Sequence, residues 1–257
     1  MDTVVITQKA DTVLLAKQSD SAWTVNGYPA SQTSIDEFFQ ALRDSVRPDL
    51  VAQSPSSFAR MGVDSAAARL VRVTGGGKTL AQVFVGGPRP GSDVAYVRLP
   101  GDVRVYQWPG RLPTVVGRPT DDWRDRQIGA VVPDSIAAVE IQRAGKRFTL
   151  RKRGTAWMLS SGAPADSAAV ARFLEHFRSV SATGFATARQ ADSLRVARPA
   201  RRVVLRGAGA RALLALTFDS TVSGYWVRTS EGGTVYRLDS WHVDQLTPAA
   251  DALLSRP

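Results

Sequence analysis

Apolar and polar residues alternate over Val4–Ile6 and again over Val13–Lys17, a two-residue period that predicts paired strands. Ser19-Asp20-Ser21 marks a turn before a third strand, Trp23-Thr24-Val25. The period then changes. Ser34-Ile35-Asp36-Glu37 fits a capping box, and Ile35, Phe38, Phe39 and Leu42 form an apolar stripe at helical spacing. Alternation returns and predicts strands at Leu70–Thr74, Thr79–Val85, Val94–Leu99 and Val103–Trp108, punctuated by Gly75-Gly76-Gly77 and Pro100-Gly101-Asp102. A short helix at Leu112–Val116 completes the set.

The same order of elements starts again in the second half of the chain. Val4, Ile6, Val13, Leu15 and Lys17 fall on Val139, Ile141, Phe148, Leu150 and Lys152 at a constant offset of 135, and Pro29-Ala30 falls on Pro164-Ala165 at the same offset. Tyr96-Val97-Arg98 and Val105-Tyr106 fall on Trp226-Val227-Arg228 and Val235-Tyr236 at an offset of 130. Asp166 or Ser167 caps the second helix, whose stripe is Val170, Phe173, Leu174 and Phe177. Strands are predicted at Arg202–Leu205, Ala212–Phe218, Tyr225–Thr229 and Thr234–Leu238, with a closing helix at Val243–Leu254. Ordered matches at steady offsets predict a tandem repeat of two units. The expected fold class is α+β, each unit an antiparallel, hairpin-rich sheet with one main helix. The expected boundaries are a first unit at 1–117, a linker at 118–135 and a second unit at 136–257.

Composition narrows the chemistry. The 257 residues contain no cysteine, which removes thiol nucleophiles, disulfides and Cys-ligated zinc. Two histidines, His176 and His242, are the only imidazoles. Neither has a local triad partner, and no serine lies in a nucleophile elbow, so the chain is expected to be no enzyme. Gly75-Gly76-Gly77-Lys78-Thr79 is similar to the tail of a phosphate-binding loop, but Arg72 stands where that loop needs glycine, so a hairpin turn is expected. Asp121, Asp122 and Asp125 sit beside Arg124 and Arg126, which points to a salt-bridged connection instead of a hard-cation site. No metal and no cofactor are expected. Trp23 and Trp157 hold matching strand positions and read as core; for Trp108, Trp123, Trp226 and Trp241 core packing is again the leading expectation, with partner contact as the alternative.

The formal net charge is +10, and it is uneven. Residues 1–130 carry 15 basic and 13 acidic side chains, whereas residues 131–257 carry 18 and 10. Only five of the basic residues are lysine and Asn26 is the sole asparagine, so part of this excess reflects the coding bias of a GC-rich genome. The first hairpin of the second unit concentrates charge, and Arg147, Arg151 and Arg153 share one strand face while Phe148 and Leu150 face the other way. That face is the candidate anion or partner surface. No recognised nucleic-acid motif accompanies it, so no specific nucleic acid is expected. No stretch approaches the ~18–20 apolar residues of a membrane helix, and Met1 runs directly into a strand, as it would if an upstream segment had been removed.

Val139-Glu140-Ile141-Gln142-Arg143, Phe148-Thr149-Leu150-Arg151-Lys152, Trp157-Met158-Leu159 and Ala163-Pro164-Ala165-Asp166 together resemble the opening consensus of the domain-of-unknown-function family 4340. Trp123-Arg124-Asp125-Arg126 resembles that family's element between successive units. Phe58-Ala59-Arg60-Met61-Gly62-Val63-Asp64 resembles its "yGLd" turn, which the second unit lacks at Leu194-Arg195-Val196. The resemblance implies a bacterial protein held by an N-terminal membrane helix and encoded beside gliding-motility-type ABC transporter subunits. It implies two tandem copies and no catalytic residue. The expected function is a non-enzymatic, extracytoplasmic accessory domain at the periplasmic face of the inner membrane, with transporter membrane subunits as protein partners. The alternative is a basic module that meets an anionic polymer or lipid surface through the second unit.

Overall fold

The computed structural model describes all residues except 10, 21, 44–46, 88–93, 194–198 and 256–257; Leu194-Arg195-Val196 therefore lies outside the described residues. The chain forms two compact units, Met1–Asp125 and Arg126–Pro257. Both are mixed α+β with antiparallel sheets.

The first unit comprises β1 (Thr3–Gln8), β2 (Asp11–Lys17), β3 (Trp23–Val25), β4 (Tyr28–Pro29), α1 (Gln32–Arg43), β5 (Asp49–Ala52) and α2 (Phe58–Met61). It continues with β6 (Arg69–Gly75), β7 (Lys78–Val85), β8 (Val94–Arg98), β9 (Val105–Pro109) and α3 (Leu112–Val116). Its sheet runs in the order β4-β3-β2-β1-β6-β7-β8-β9-β5. Alternation decides the faces. Val4, Ile6, Val13, Leu15, Val71 and Val73 point inward and join one core with Ile35 and Phe38 of α1. Burying each such side chain fully contributes about 1.5–3 kcal/mol. The expected glycine hairpin forms, with Gly75 opposite Lys78 and with Gly76 and Gly77 at positive φ.

The helix cap differs from expectation. α1 starts at Gln32, and Ser31 receives the amide of Ser34 at 3.3 Å. Ser34 lies inside the helix because its hydroxyl donates to the carbonyl of Asp122 at 2.9 Å, a tertiary bond 88 residues away. Glu37, expected to close the capping box, instead pairs with Arg118.

The second unit comprises β10 (Gln127–Gly129), β11 (Ala138–Arg143), β12 (Lys146–Arg153), β13 (Ala156–Leu159), α4 (Ser167–Glu175), β14 (Val180–Ser181), β15 (Gly184–Phe185) and α5 (Ala188–Ser193). It ends with β16 (Arg201–Arg206), β17 (Ala212–Thr221), β18 (Gly224–Thr229), β19 (Tyr236–Leu238) and α6 (Ser240–Leu246). Its main sheet runs β13-β12-β11-β16-β17-β18-β19-β15, the order of the first sheet without β4. Registers agree too: Val4 opposes Leu15 and Val73, and Val139 opposes Leu150 and Leu205. Asp166 caps α4 by accepting from the amides of Ala168 and Ala169. Val170, Phe173, Leu174 and Phe177 are buried in the second core, with Phe173 and Phe177 edge to face at 5.4 Å. The closing helix is shorter than expected. α6 stops at Leu246 and a 3-10 turn, Ala250–Leu253, follows.

The segment 118–135, expected as a linker, is divided between the units. Trp123 ends a 3-10 turn and is fully buried in the first core, while Ile128 and Val131 are buried in the second. Apolar side chains of this size gain more from a core than from a solvated connection. The ends of the units match as well. Ser31 donates its amide to the carbonyl of Trp123, and Asp166 donates its amide to that of Leu253.

Candidate functional site

Leu150 is fully buried and Phe148 packs beside it, so the opposite face of β12 presents Arg147, Arg151 and Arg153 to solvent. The three expected residues do share one face. The Nε of Arg147 donates to Oε1 of Gln142 at 3.1 Å.

Strand order extends this face beyond what the sequence indicated. Gln142 opposes Arg147 on one side and Arg202 on the other, while Ala138 opposes Arg151 and Arg206. Arg206 pairs with Glu140 at 2.6 Å, which raises its pKa further, chiefly through the hydrogen bond. One strand on, Arg228 pairs with Asp219 at 3.1 Å. Burial pushes the Asp219 carboxyl up, against the pull of Arg228. Among the described residues, Arg147, Arg151, Arg153 and Arg202 have no acidic partner within ion-pair distance. Arg202 and Arg206 were missed because nothing local says that β16 lies beside β11. Their signal was the pair of arginines flanking the apolar run Val203-Val204-Leu205. Part of the charge excess is structural instead. Arg143 and Arg201 reach Asp244 at 3.2 and 2.6 Å and hold α6 against the sheet.

The corresponding face of the first sheet carries fewer cations, with Arg72 exposed opposite Val5. Thr12 and Leu70 flank Thr7 as Arg147 and Arg202 flank Gln142, and Ala16 and Thr74 flank Thr3 as Arg151 and Arg206 flank Ala138. Arg98 occupies the place of Arg228 but is 9% exposed. Its guanidinium lies between the rings of Phe58 and Phe84 at 4.2 and 4.4 Å, and its Nε donates to the carbonyl of Val63 at 3.2 Å. The segment Phe58–Asp64 thus covers part of that sheet face and takes up Arg98.

The two histidines, without local partners in the sequence, line one cavity of about 330 Å³ with Glu175, Trp241 and Gln245. His242 is half-buried, stacks on Trp241 at 3.4 Å, and its Nδ1 has no hydrogen-bond partner among the described residues. Burial holds its pKa below the usual value, with His176 adding to that and Asp239 opposing. Among the described residues no three His, Asp or Glu side chains come together as metal ligands.

Trp23 and Trp157 are both buried, beside Lys17 and Lys152 in the same register. Trp123 is wholly enclosed, as the core reading expected, edge to face with Phe38 at 5.8 Å. Trp108 packs against the first core, Trp226 is half-buried, and Trp241 is 56% exposed. Asp121 pairs with Arg124 at 3.4 Å, and Arg124 lies over Tyr28 at 4.0 Å. Among the described residues no helix is long and apolar enough to cross a membrane.

Comparison with curated proteins and with solved structures gives no match. One family profile does match, as a single run over residues 23–199 that begins at the Trp23 strand, crosses the division between the units and stops before β16. The chain belongs to the family described as a domain of unknown function, DUF4340.

Proposed function

We propose that this protein is a non-enzymatic interaction domain, built from two copies of one unit, in an extracytoplasmic bacterial ABC-transport or cell-envelope assembly. The observation that carries an interaction role is the open face of the second sheet, where Arg147, Arg151, Arg153 and Arg202 stand exposed without acidic partners among the described residues. An unpaired cationic face is costly to self-association and is complementary to an acidic partner. The transporter context is supported by family membership, through the resemblance that the motifs carry. The protein partners proposed are the transporter membrane subunits, met at the periplasmic face of the inner membrane.

The test is photo-crosslinking in native membranes from position 151 on the arginine face. Permease subunits should be captured there and not from the matching position, Ala16, in the first unit. Equal capture from both positions, or from neither, would sink the proposal. The second unit's 18 basic against 10 acidic side chains after residue 130 favour a further option, an anionic lipid surface. Sedimentation with phosphatidylglycerol vesicles at low and high salt separates that option from a protein partner.

A further inference from the structure

Arg147, Gln142 and Arg202 form one row across three adjacent strands, and the strand order continues it through Thr217 to Arg228. Neighbouring strands lie about 4.8 Å apart, so arginines on alternate strands recur roughly every 10 Å. A depression of about 130 Å³ opens between Arg147 and Arg202, with Gln142, Thr149 and Val204 among its lining. Gln142 holds Arg147 by its Nε, which leaves the outer guanidinium edge for a ligand. This is a preorganised fork, and its geometry matches a carboxylate bidentately.

We infer that this row docks an acidic polypeptide segment running across the strands, with carboxylates seated over Arg147 and Arg202; the inference rests on the interaction-domain proposal. Two features select discrete carboxylates over a continuous anionic surface. Glu140 lines the same depression among the arginines, and a bilayer or a nucleic-acid backbone laid flat here would press like charge against it. The exposed large apolar side chains of the second unit, Val132, Val222 and Trp241, lie on a loop, a hairpin tip and α6, and on this face Trp226 is half-buried, so among the described residues no fully exposed apolar side chain stands there for insertion into lipid. Spacing then defines the segment. A polyproline II chain advances about 3.1 Å per residue with three residues per turn, so an acidic residue at every third position meets the ~10 Å interval.

The probe is a fluorescein-labelled peptide of four Glu-Pro-Pro triplets, titrated by anisotropy against the full chain at low salt. The peptide should bind, and Arg147→Gln with Arg202→Gln should weaken it at least tenfold. Removing equal charge at Arg172 and Arg189, on α4 and α5, should change affinity less than twofold. Thermal melts of each variant establish that the fold is kept. Equal losses from the two pairs, absence of peptide binding, or retention on phosphatidylglycerol vesicles that the peptide does not compete away would each overturn the inference. Crosslinking of transporter subunits from position 151 despite such a result would leave the interaction-domain proposal standing and remove only the acidic segment.

Discussion

Thr12 and Leu70 in the first unit stand where Arg147 and Arg202 stand in the second, on sheets with the same strand order and matching register. The inward residues hardly change in kind: Val4, Ile6 and Leu15 face Val139, Ile141 and Leu150 as equivalents, all buried. One face of each strand is therefore committed to packing, and the other is free to diverge. In the first unit that face keeps one exposed arginine, Arg72, and is partly covered, with Arg98 used up by Phe58, Phe84 and the Val63 carbonyl. In the second it is cationic and exposed. Two sheets of one strand order that differ on one face fit the interaction role proposed above, because surface substitutions away from special features change stability by only about 0.5 kcal/mol.

The largest expected effect tests whether the two cores are equivalent. Trp23→Ala and Trp157→Ala should each destabilise their own unit by about 3–5 kcal/mol, measured by urea unfolding with probes in each unit. A difference between them of more than about 2 kcal/mol would break the equivalence.

Next comes the pair Arg98 and Arg228. Arg98→Ala removes a buried charged donor and its contacts with two rings, and should cost about 2 kcal/mol. Arg228→Ala leaves Asp219, 8% exposed, without its partner and should cost a similar amount, since truncating one member of a buried pair strands the other. Adding Asp219→Asn should recover most of the second loss. Failure of that rescue would mean that Arg228 acts by packing and not through the carboxylate.

The pH profiles should separate the units. His242 has a folded pKa below its ordinary 6.5, so protonation favours the unfolded chain. Its contribution is complete above pH 6.5 and is lost as pH falls through the lowered folded value. Leu112 occupies the matching place in the first unit, at the start of α3, and does not titrate. The first unit carries an acid-sensitive turn instead, where Arg104 holds Asp102 at about 2, so that contribution is present above 3.8 and fades toward pH 2. Melting curves from pH 8 to 3 should show the second unit weakening first, and His242→Gln should remove the early phase. A profile unchanged by that substitution would refute the assignment.

The smallest effect is a transplant. Thr12→Arg with Leu70→Arg, at the places of Arg147 and Arg202, should shift the stability of the first unit by about 1 kcal/mol or less. It should also give that unit measurable affinity for the Glu-Pro-Pro peptide. Unchanged affinity would mean that arginines in these two places do not make the peptide site, against the inference.

Local pattern was enough for the long elements. Strict alternation in Val4–Ile6 and Val13–Lys17, and the stripe Ile35, Phe38, Phe39 and Leu42, specify their own periods because each side chain's environment repeats along the element. The offsets of 135 and 130 carried the pairing of like segments, and the face of Arg147, Arg151 and Arg153 follows from a two-residue period alone. Short elements had no such signal. β5 is mostly exposed and becomes a strand through β9 beside it, and β14 pairs with β10 across more than fifty residues. Ser34 looked like a cap until the Asp122 carbonyl claimed its hydroxyl. Which strand lies beside β11, and hence whether Arg202 joins Arg147, is likewise a long-range choice, as is the meeting of His176 with His242 in one cavity. The sequence by itself determined which faces are apolar, since burial period is a local property of the backbone. Only the tertiary structure decided which charges stand free, because a guanidinium is consumed or left open by partners that the chain brings from far away.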